Sequence, residues 1–529
     1  MVLGTEVIIG TVKWKVRAIL LCGVFDAPAR CCFMEMIQYN GFHGCPFCDS
    51  AGETVKTGEK GSTHAYPFNI SSSTGHGKPR THQETVTHAK NADRQALAGK
   101  AAPLCGVKGT TWFMFLPKFD IIRGVAVDYM HCILLGVMKM LLHLWFDKQY
   151  RSEAFSISSR MKDVNLRLLS IKPPNFISRV PRSLEDLGHF KASEYKSFLL
   201  YYGLPCLLGI LPDEYYQHFL LLVQAVFSLL KESISEKDLK QASALLKHFC
   251  LNMSVFYGKR YETSNVHMLL HLVEKVRGLG PLWSQSCFYF EDYNGELRKL
   301  FHGTQSIEQQ ITLAVSINQK LPQMDTCLTY GTGAYEFYLK LARKGRGEST
   351  QRQTLLLDNI RCVGAMTSFT LHGEDKTAVE KQVGQLRDVK KFKRISIGEQ
   401  VLHSEDYKSV LKRNSSSVLT KDGNIYQIKY YVKVYPRCPN TIFCMESLKC
   451  VCRIPHYLAV SHLLEKAQVK LSSDTTTHAS AGHIVPVNHN KKITVAVPLN
   501  TISSACVFVS YAGSNVDFVC QVPNQIERE

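Results

Sequence analysis

The sequence predicts an α/β protein in three stretches: a strand, helix and glycine-punctuated turn, then a long helical middle, then a β-rich C-terminal region. Three observations predict it. The run VRAILLCGVFD (16–26) is apolar and ends in an acid, as a buried strand does at its C-terminal edge. Apolar stripes at helical spacing recur from Phe119 to Leu279. From Asn424 onward, β-branched and aromatic residues alternate or cluster.

Taken in order, Pro28 suits the first turn of a helix reaching Gln38, and YNGFHGCPFCDS (39–50) reads as a turn. Residues 51–110 are rich in Gly, Ser, Thr and His and are expected to be a long, mostly irregular, exposed connection. Helices follow from the stripes Ile133-Leu134, Val137-Met138, Leu141-Leu142 and Leu144-Trp145, from Phe219–Leu230 and from Ala242–Phe249. Asn265–Arg277 is a further helix, capped by Asn265 and stopped by Gly278, Gly280 and Pro281, and another spans Phe290–Phe301. After Ala342 the polar, basic stretch LARKGRGESTQRQ reads as a linker. Strands are expected at Asn424–Val434, Lys492–Val497 and Ala505–Tyr511.

Composition limits the function classes. An apolar share of 45% with 20% charged residues belongs to a globular chain rather than a disordered or fibrous one. The longest uncharged apolar stretch, Ser197–Pro212, is too short for a bilayer span of about 20 residues and is broken by Gly203, Pro205 and Gly209. The first residues, MVLGTEVIIG, carry no basic n-region or cleavage site, so an intracellular protein without a secretory signal is expected. With no oxidising compartment indicated, the 18 cysteines are expected as buried thiols or metal ligands. Sixty-three Lys and Arg against 45 Asp and Glu leave a formal charge of +18, which favours polyanions, nucleic acid first; a merely basic soluble protein fits as well.

The sharpest local motif is Cys45-Pro46-Phe47-Cys48. Two thiolates on a glycine-flanked turn form half of a tetrahedral zinc site, while a redox dithiol or chance pairing fits equally. His267 and His271, at i and i+4 on one helix face, can supply the other half, or be ordinary core or surface residues. Asp26 ends the expected strand, where metal-binding acids gather in α/β sheets; capping the helix at Pro28 is the plainer role. Glu291 lies in a first helical turn, where the dipole alone favours an acid. Asp128 and His131 stand one turn apart and are either structural or in contact with DNA. Cys438, Cys444, Cys450 and Cys452, with His456 and His462, match no common zinc spacing and are read as strand and loop thiols. Lys390, Lys391, Lys393 and Arg394 form a short basic run, a solvated face or a nuclear import patch.

Five collinear blocks, FDAPARCCFMEMIQYNGFHGCPFC, VAVDYMHCILLGVMKMLLHLW, KASEYKSFLLYYGLPCLLGILP, NVHMLLHLVEKVRGLGPLW and FYFEDYNGELRKLFHGT, cover roughly residues 16–304. Together they resemble the tnp2-type transposases of CACTA (En/Spm-like) DNA transposons. The resemblance implies a partial RNase H-like catalytic core interrupted by a large α-helical insertion. On it, residues 1–117 are the core with its CxxC turn, 118–260 the insertion and 261–341 the return to the core. A linker (342–400) and a β-rich C-terminal domain (401–529), which resembles nothing recognised, complete the chain.

In that family three acids hold two divalent ions, magnesium or manganese, for DNA strand cleavage and transfer. The second aspartate maps onto Asp26, the glutamate onto Glu291, and a structural zinc site onto Cys45, Cys48, His267 and His271. Cys45 lies 19 residues after Asp26, and Glu291 20 residues after His271. Transib-type transposases and the V(D)J recombinase place a zinc site at similar offsets from their own acids. The family's first aspartate, on an earlier strand, has no counterpart: residues 1–25 contain Glu6 as their one acid and no aspartate. The expectation is therefore a truncated or domesticated transposase in the nucleus, binding DNA, open to homo-oligomerisation and inactive by itself in DNA recombination. The rival expectation is a non-catalytic DNA- or chromatin-interaction protein domesticated from a transposon.

Overall fold

The computed structural model describes residues 4–342, 353–398, 400–438, 450–472, 481–511 and 514–527. It is a mixed α/β protein with a helical middle and antiparallel sheets that dominate the C-terminal region.

The helical middle is built on an antiparallel pair, Asp213–Leu229 and Glu236–Tyr257. Leucines, valines and aromatics recur around the first of these, so nearly all of it is buried. Ser235 starts the second by a reciprocal cap: its Oγ accepts from Asp238 N (3.2 Å), and Asp238 Oδ2 accepts from Ser235 N (3.0 Å). Trp145, from the helix Lys139–Phe146, is fully buried against Phe219 with ring centres 5.3 Å apart, and its Nε1 donates to Tyr257 Oη. Met130–Met138 and Phe198–Tyr202 wind in wider, π-type turns, the first carrying His131.

The β region holds a sheet of nine strands. Its path runs Ile502–Ala505, Ser417–Thr420, Ile425–Pro436, His456–Lys466, Ile484–Pro498, Val516–Cys520, Val507–Val509, with Leu386–Phe392 also pairing on Ile425–Pro436 and the short Thr367–Ser368 on Leu386–Phe392. The expected strands at 424–434 and 492–497 lie inside this sheet, and 505–511 contributes Val507–Val509. The sheet packs directly on the helices. Cys520 Sγ donates to Tyr201 O, Tyr511 Oη to Pro205 O (3.3 Å), and the Lys196–Glu527 pair (3.1 Å) is buried between them. Among the described residues no helix is long and apolar enough to cross a membrane.

Several expectations need correcting. Residues 16–26 do not form a strand: Val12–Val16 pairs with Thr5–Ile9 in an exposed hairpin, and Ile19 and Leu21 are exposed. Only Gly23 bridges, in parallel, to Val125 (Gly23 N to Gly124 O, 2.8 Å). A strand exists through its ladder partners, and among the described residues no neighbouring strand flanks this run. A continuous sheet is therefore not formed beneath Asp26. The helix opened by Pro28 ends at Phe33 rather than Gln38, because the chain turns through Glu35 at φ 49°.

Residues 51–110 are more ordered than expected. They hold the hairpin Glu53–Lys56/Ser62–Ala65 and a 16-residue helix, His82–Leu97. The signal was present as Thr81-x-x-Glu84: Thr81 Oγ1 accepts from Glu84 N, and small Val86, Ala89 and Ala92 form the buried face. The expected linker 342–400 is likewise structured where described. Gln353–Leu357, Ile360–Val363 and Arg394–Ile397 join Gln400–His403 in a four-stranded sheet, and Gly373–Val383 is a helix. Residues 343–352, the polar heart of that linker, lie outside the described residues. In the basic run, Lys391 is not on a solvated face: it pairs with Asp406, and its Nζ lies 4.1 Å from the Tyr430 ring centre.

Candidate metal centre and acidic cluster

Cys45 and Cys48 sit on a turn that needs its glycine. A Cβ on Gly44 would lie 2.4 Å from Gln38 O, so only glycine lets the chain fold back there. Arg80 fixes the turn from behind: its Nε donates to Cys45 O and to Cys48 O (3.0 Å each), and its Nη2 donates to His43 O (3.1 Å). On the other side, the helix Ser264–Met268 runs through a tight 3-10 turn, Leu269–His271, into Leu272–Leu279. Thr263, not Asn265, caps it, with Oγ1 accepting from Val266 N (3.5 Å).

The two segments bring four ligand atoms together, all on residues buried to 2% exposure or less. Cys45 Sγ and Cys48 Sγ are 3.5 Å apart, Cys45 Sγ and His271 Nε2 3.5 Å, Cys48 Sγ and His267 Nε2 3.2 Å, and the two Nε2 atoms 3.4 Å. A tetrahedral zinc ion with Zn–S of about 2.3 Å and Zn–N of about 2.0–2.1 Å has edges of about 3.8 Å (S–S), about 3.5 Å (S–N) and about 3.3 Å (N–N). The four observed edges lie within about 0.3 Å of these values, so the residues fit the ion.

The protonation chemistry suits a cation. Burial pushes His271 down to about 4, which keeps its imidazole neutral. The Cys45 thiol is pushed well up by burial, whereas Cys48 is held low, first by the hydrogen bond from Cys45 and then by the histidines, despite its own burial. A buried thiolate between a thiol and two imidazoles is the charge state that a divalent ion completes.

Sequence reasoning missed His76 and Lys275. His76 lies tilted against His271 with ring centres 4.3 Å apart; its Nδ1 donates to Gly77 O (2.7 Å), and its side chain hydrogen-bonds Cys48. Lys275 holds its Nζ 3.9 Å from the Phe47 ring centre, and burial lowers its pKa to about 8. Neither is marked by any local motif; both are placed by the approach of segments distant in sequence.

The acids gather around His131. Asp26 caps Ala27–Phe33, its Oδ1 accepting from Ala29 N (2.8 Å), which is the plainer of its two expected roles. Asp128 is 2% exposed and saturated: it accepts from Met130 N (3.2 Å), His131 N (3.1 Å), Cys287 N (2.8 Å) and His131 Nδ1 (2.5 Å). Glu291, in the first turn of Phe288–Leu297, lies 3.4 Å from His131 Nε2. The Asp128 hydrogen bond leads in raising the pKa of His131 against its burial, and Glu291 and Asp26 add attraction through space. Asp26, Asp128 and Glu291 thus all act on His131, a grouping that the sequence reading, which paired Asp26 with Glu291 and set Asp128 and His131 apart, did not foresee.

These acids do not fit a pair of divalent ions. Two ions held close together need a bridging carboxylate, and Asp128 has its oxygens filled by four donors. Asp26 and Glu291 offer one carboxylate each, the first already accepting from Ala29 N and the second set against His131. In comparisons with family models and with curated proteins, nothing matches this chain.

Proposed function

We propose that this chain derives from a tnp2-type transposase of CACTA elements and works as a nuclear DNA-binding protein without strand-transfer activity of its own. In this reading, residues 1–117 and 261–341 are the remnant of an RNase H-like core, and the helical middle is its insertion. The observation that carries the reading is that Glu291 lies 3.4 Å from His131 and Asp26 attracts the same imidazole through space, while the segments that bear these two acids also supply a zinc-fitting quartet. The two acids and four metal ligands stand at sequence offsets similar to those of Transib-type transposases and the V(D)J recombinase, and the four metal ligands come together in space, which chance spacing along a chain does not require. The charge of +18 supplies the DNA affinity.

The rival reading, a chromatin-interaction protein in which the acids are relics of the fold, draws support from Asp128, whose oxygens are committed to three backbone donors and the His131 ring. A nicking and strand-transfer assay on plasmids carrying candidate transposon ends, with Mg²⁺ or Mn²⁺, tests the proposal. Duplex binding without cleavage is expected. Cleavage abolished by Asp26→Ala would overturn the inactive reading, and no duplex binding at low salt would overturn the DNA-binding one.

A further inference from the structure

Cys438, Cys450 and Cys452 lie at the mouth of the connection between two long neighbouring strands. Ile425–Pro436 and His456–Lys466 pair antiparallel, and the last pair of their ladder is Val434 with His456. Cys438 leaves the ladder just beyond Pro436. Cys450 and Cys452 return to it through a single turn, Val451–Arg453, closed by Arg453 N donating to Cys450 O (2.9 Å). That turn sets two cysteines two positions apart with both sulfurs on one side.

The three Sγ atoms all lie within 4.8 Å of one another: Cys438 to Cys450 is 3.7 Å and Cys450 to Cys452 is 3.2 Å. These separations exceed a sulfur–sulfur bond of about 2.05 Å. The first matches the edge of about 3.8 Å that a tetrahedral zinc thiolate site presents, and the second would open modestly around an ion. Cys452 is 1% exposed, and Cys438 and Cys450 are half-buried.

We propose that Cys438, Cys450 and Cys452 form a second zinc site, independent of the quartet at Cys45 and of the transposase reading. Three thiolates and a soft, closed-shell ion are matched in ligand preference, and the fourth position is left to water or a further donor. The site closes the 12-residue interval from Cys438 to Cys450 at the end of the ladder, a cross-link that restricts the unfolded chain more than the folded one. Its role is to hold the ends of the two strands together where their pairing stops.

The test is zinc content of the full chain, purified under reducing conditions and counted by elemental mass spectrometry. Two zinc ions per chain are expected. Cys45→Ser should remove one and leave one; the double variant Cys438→Ser/Cys452→Ser should remove the other. Zinc content unchanged in that double variant would overturn the proposal, as would a loss of two mass units reporting a disulfide among these cysteines. If the quartet is the part that fails, Cys45→Ser changes nothing while the double variant removes all zinc. A wild-type measurement guards against variants that do not fold: X-ray absorption at the zinc edge should give a mean sulfur count above two per zinc, and a count of two overturns the site.

Discussion

Asp128 Oδ1 accepts the backbone N–H of Cys287 at 2.8 Å, across 159 residues of sequence. The same carboxylate accepts from Met130 N and His131 N. One buried aspartate therefore caps the segment carrying His131 and anchors the start of the helix carrying Glu291. The position of Glu291 is set by Asp128, whatever chemistry Glu291 itself performs.

Asp128→Ala should destabilise the chain by about 3–5 kcal/mol, since it strands several buried donors at once. Asp128→Asn should cost less and should return the His131 pKa toward the ordinary imidazole value, because the Asp128 hydrogen bond is the leading cause of its rise. A raised His pKa contributes stability below the unfolded value that is lost as pH rises through the folded one. The Asn variant should therefore show less loss of stability above about pH 6.5 than the parent. Denaturant unfolding at several pH values, with NMR titration of His131, checks both; an unchanged His131 titration would refute the assignment.

Chelation should couple to folding. Removing zinc from the quartet leaves two sulfurs and two imidazoles buried together without their cation, so the melting temperature should fall by several degrees on prolonged EDTA treatment. His271→Ala should show the lower value already and respond little further. Equal responses of parent and His271→Ala to chelation would argue against the site.

Acid should weaken the helical middle through two neutral histidines. His218 donates to Phe249 O (2.9 Å) and stacks on the Phe249 ring; His483 donates to Leu200 O (3.2 Å) and stacks on Phe227. Burial pushes their pKa values down to about 4 and about 3. The unfolded chain takes up these protons first, so the stability they permit above about pH 6.5 is lost on acidification, on the order of 3 kcal/mol each by pH 4. The stability difference between wild type and His483→Gln should accordingly change with pH across that window. A constant difference from pH 7 to pH 4 would contradict the account.

Binding to duplex DNA should fall log-linearly with salt and differ little between unrelated sequences, since the net charge of +18 drives it through phosphate contacts. Affinities for two unrelated duplexes at four salt concentrations decide it. Salt-insensitive binding to one of them would point to direct base readout instead.

Much of the local structure was legible in the chain itself. Apolar stripes near Val137, Phe219 and Leu245 and the β-branched run at 425–434 announced elements that depend on their own periodicity. The pairing of Cys45 and Cys48 with His267 and His271 was foreseen from spacing and resemblance, because turn and helix each fix the direction of their own side chains.

Tertiary structure decided the rest. The run 16–26 has a strand's composition yet stays largely unpaired, because strand formation belongs to the ladder and not to the residues. Asp128 and His131 read in sequence as either structural or in contact with DNA; only the arrival of Cys287 N makes Asp128 a buried, saturated cap. Cys438, Cys450 and Cys452 fitted no ligand spacing, and it is the strand pairing of Val434 with His456 that carries them into one cluster. Sequence alone fixed what short-range periodicity and capping can encode. Folding chose which distant donors and acceptors met, since that choice is made by the burial of the whole core.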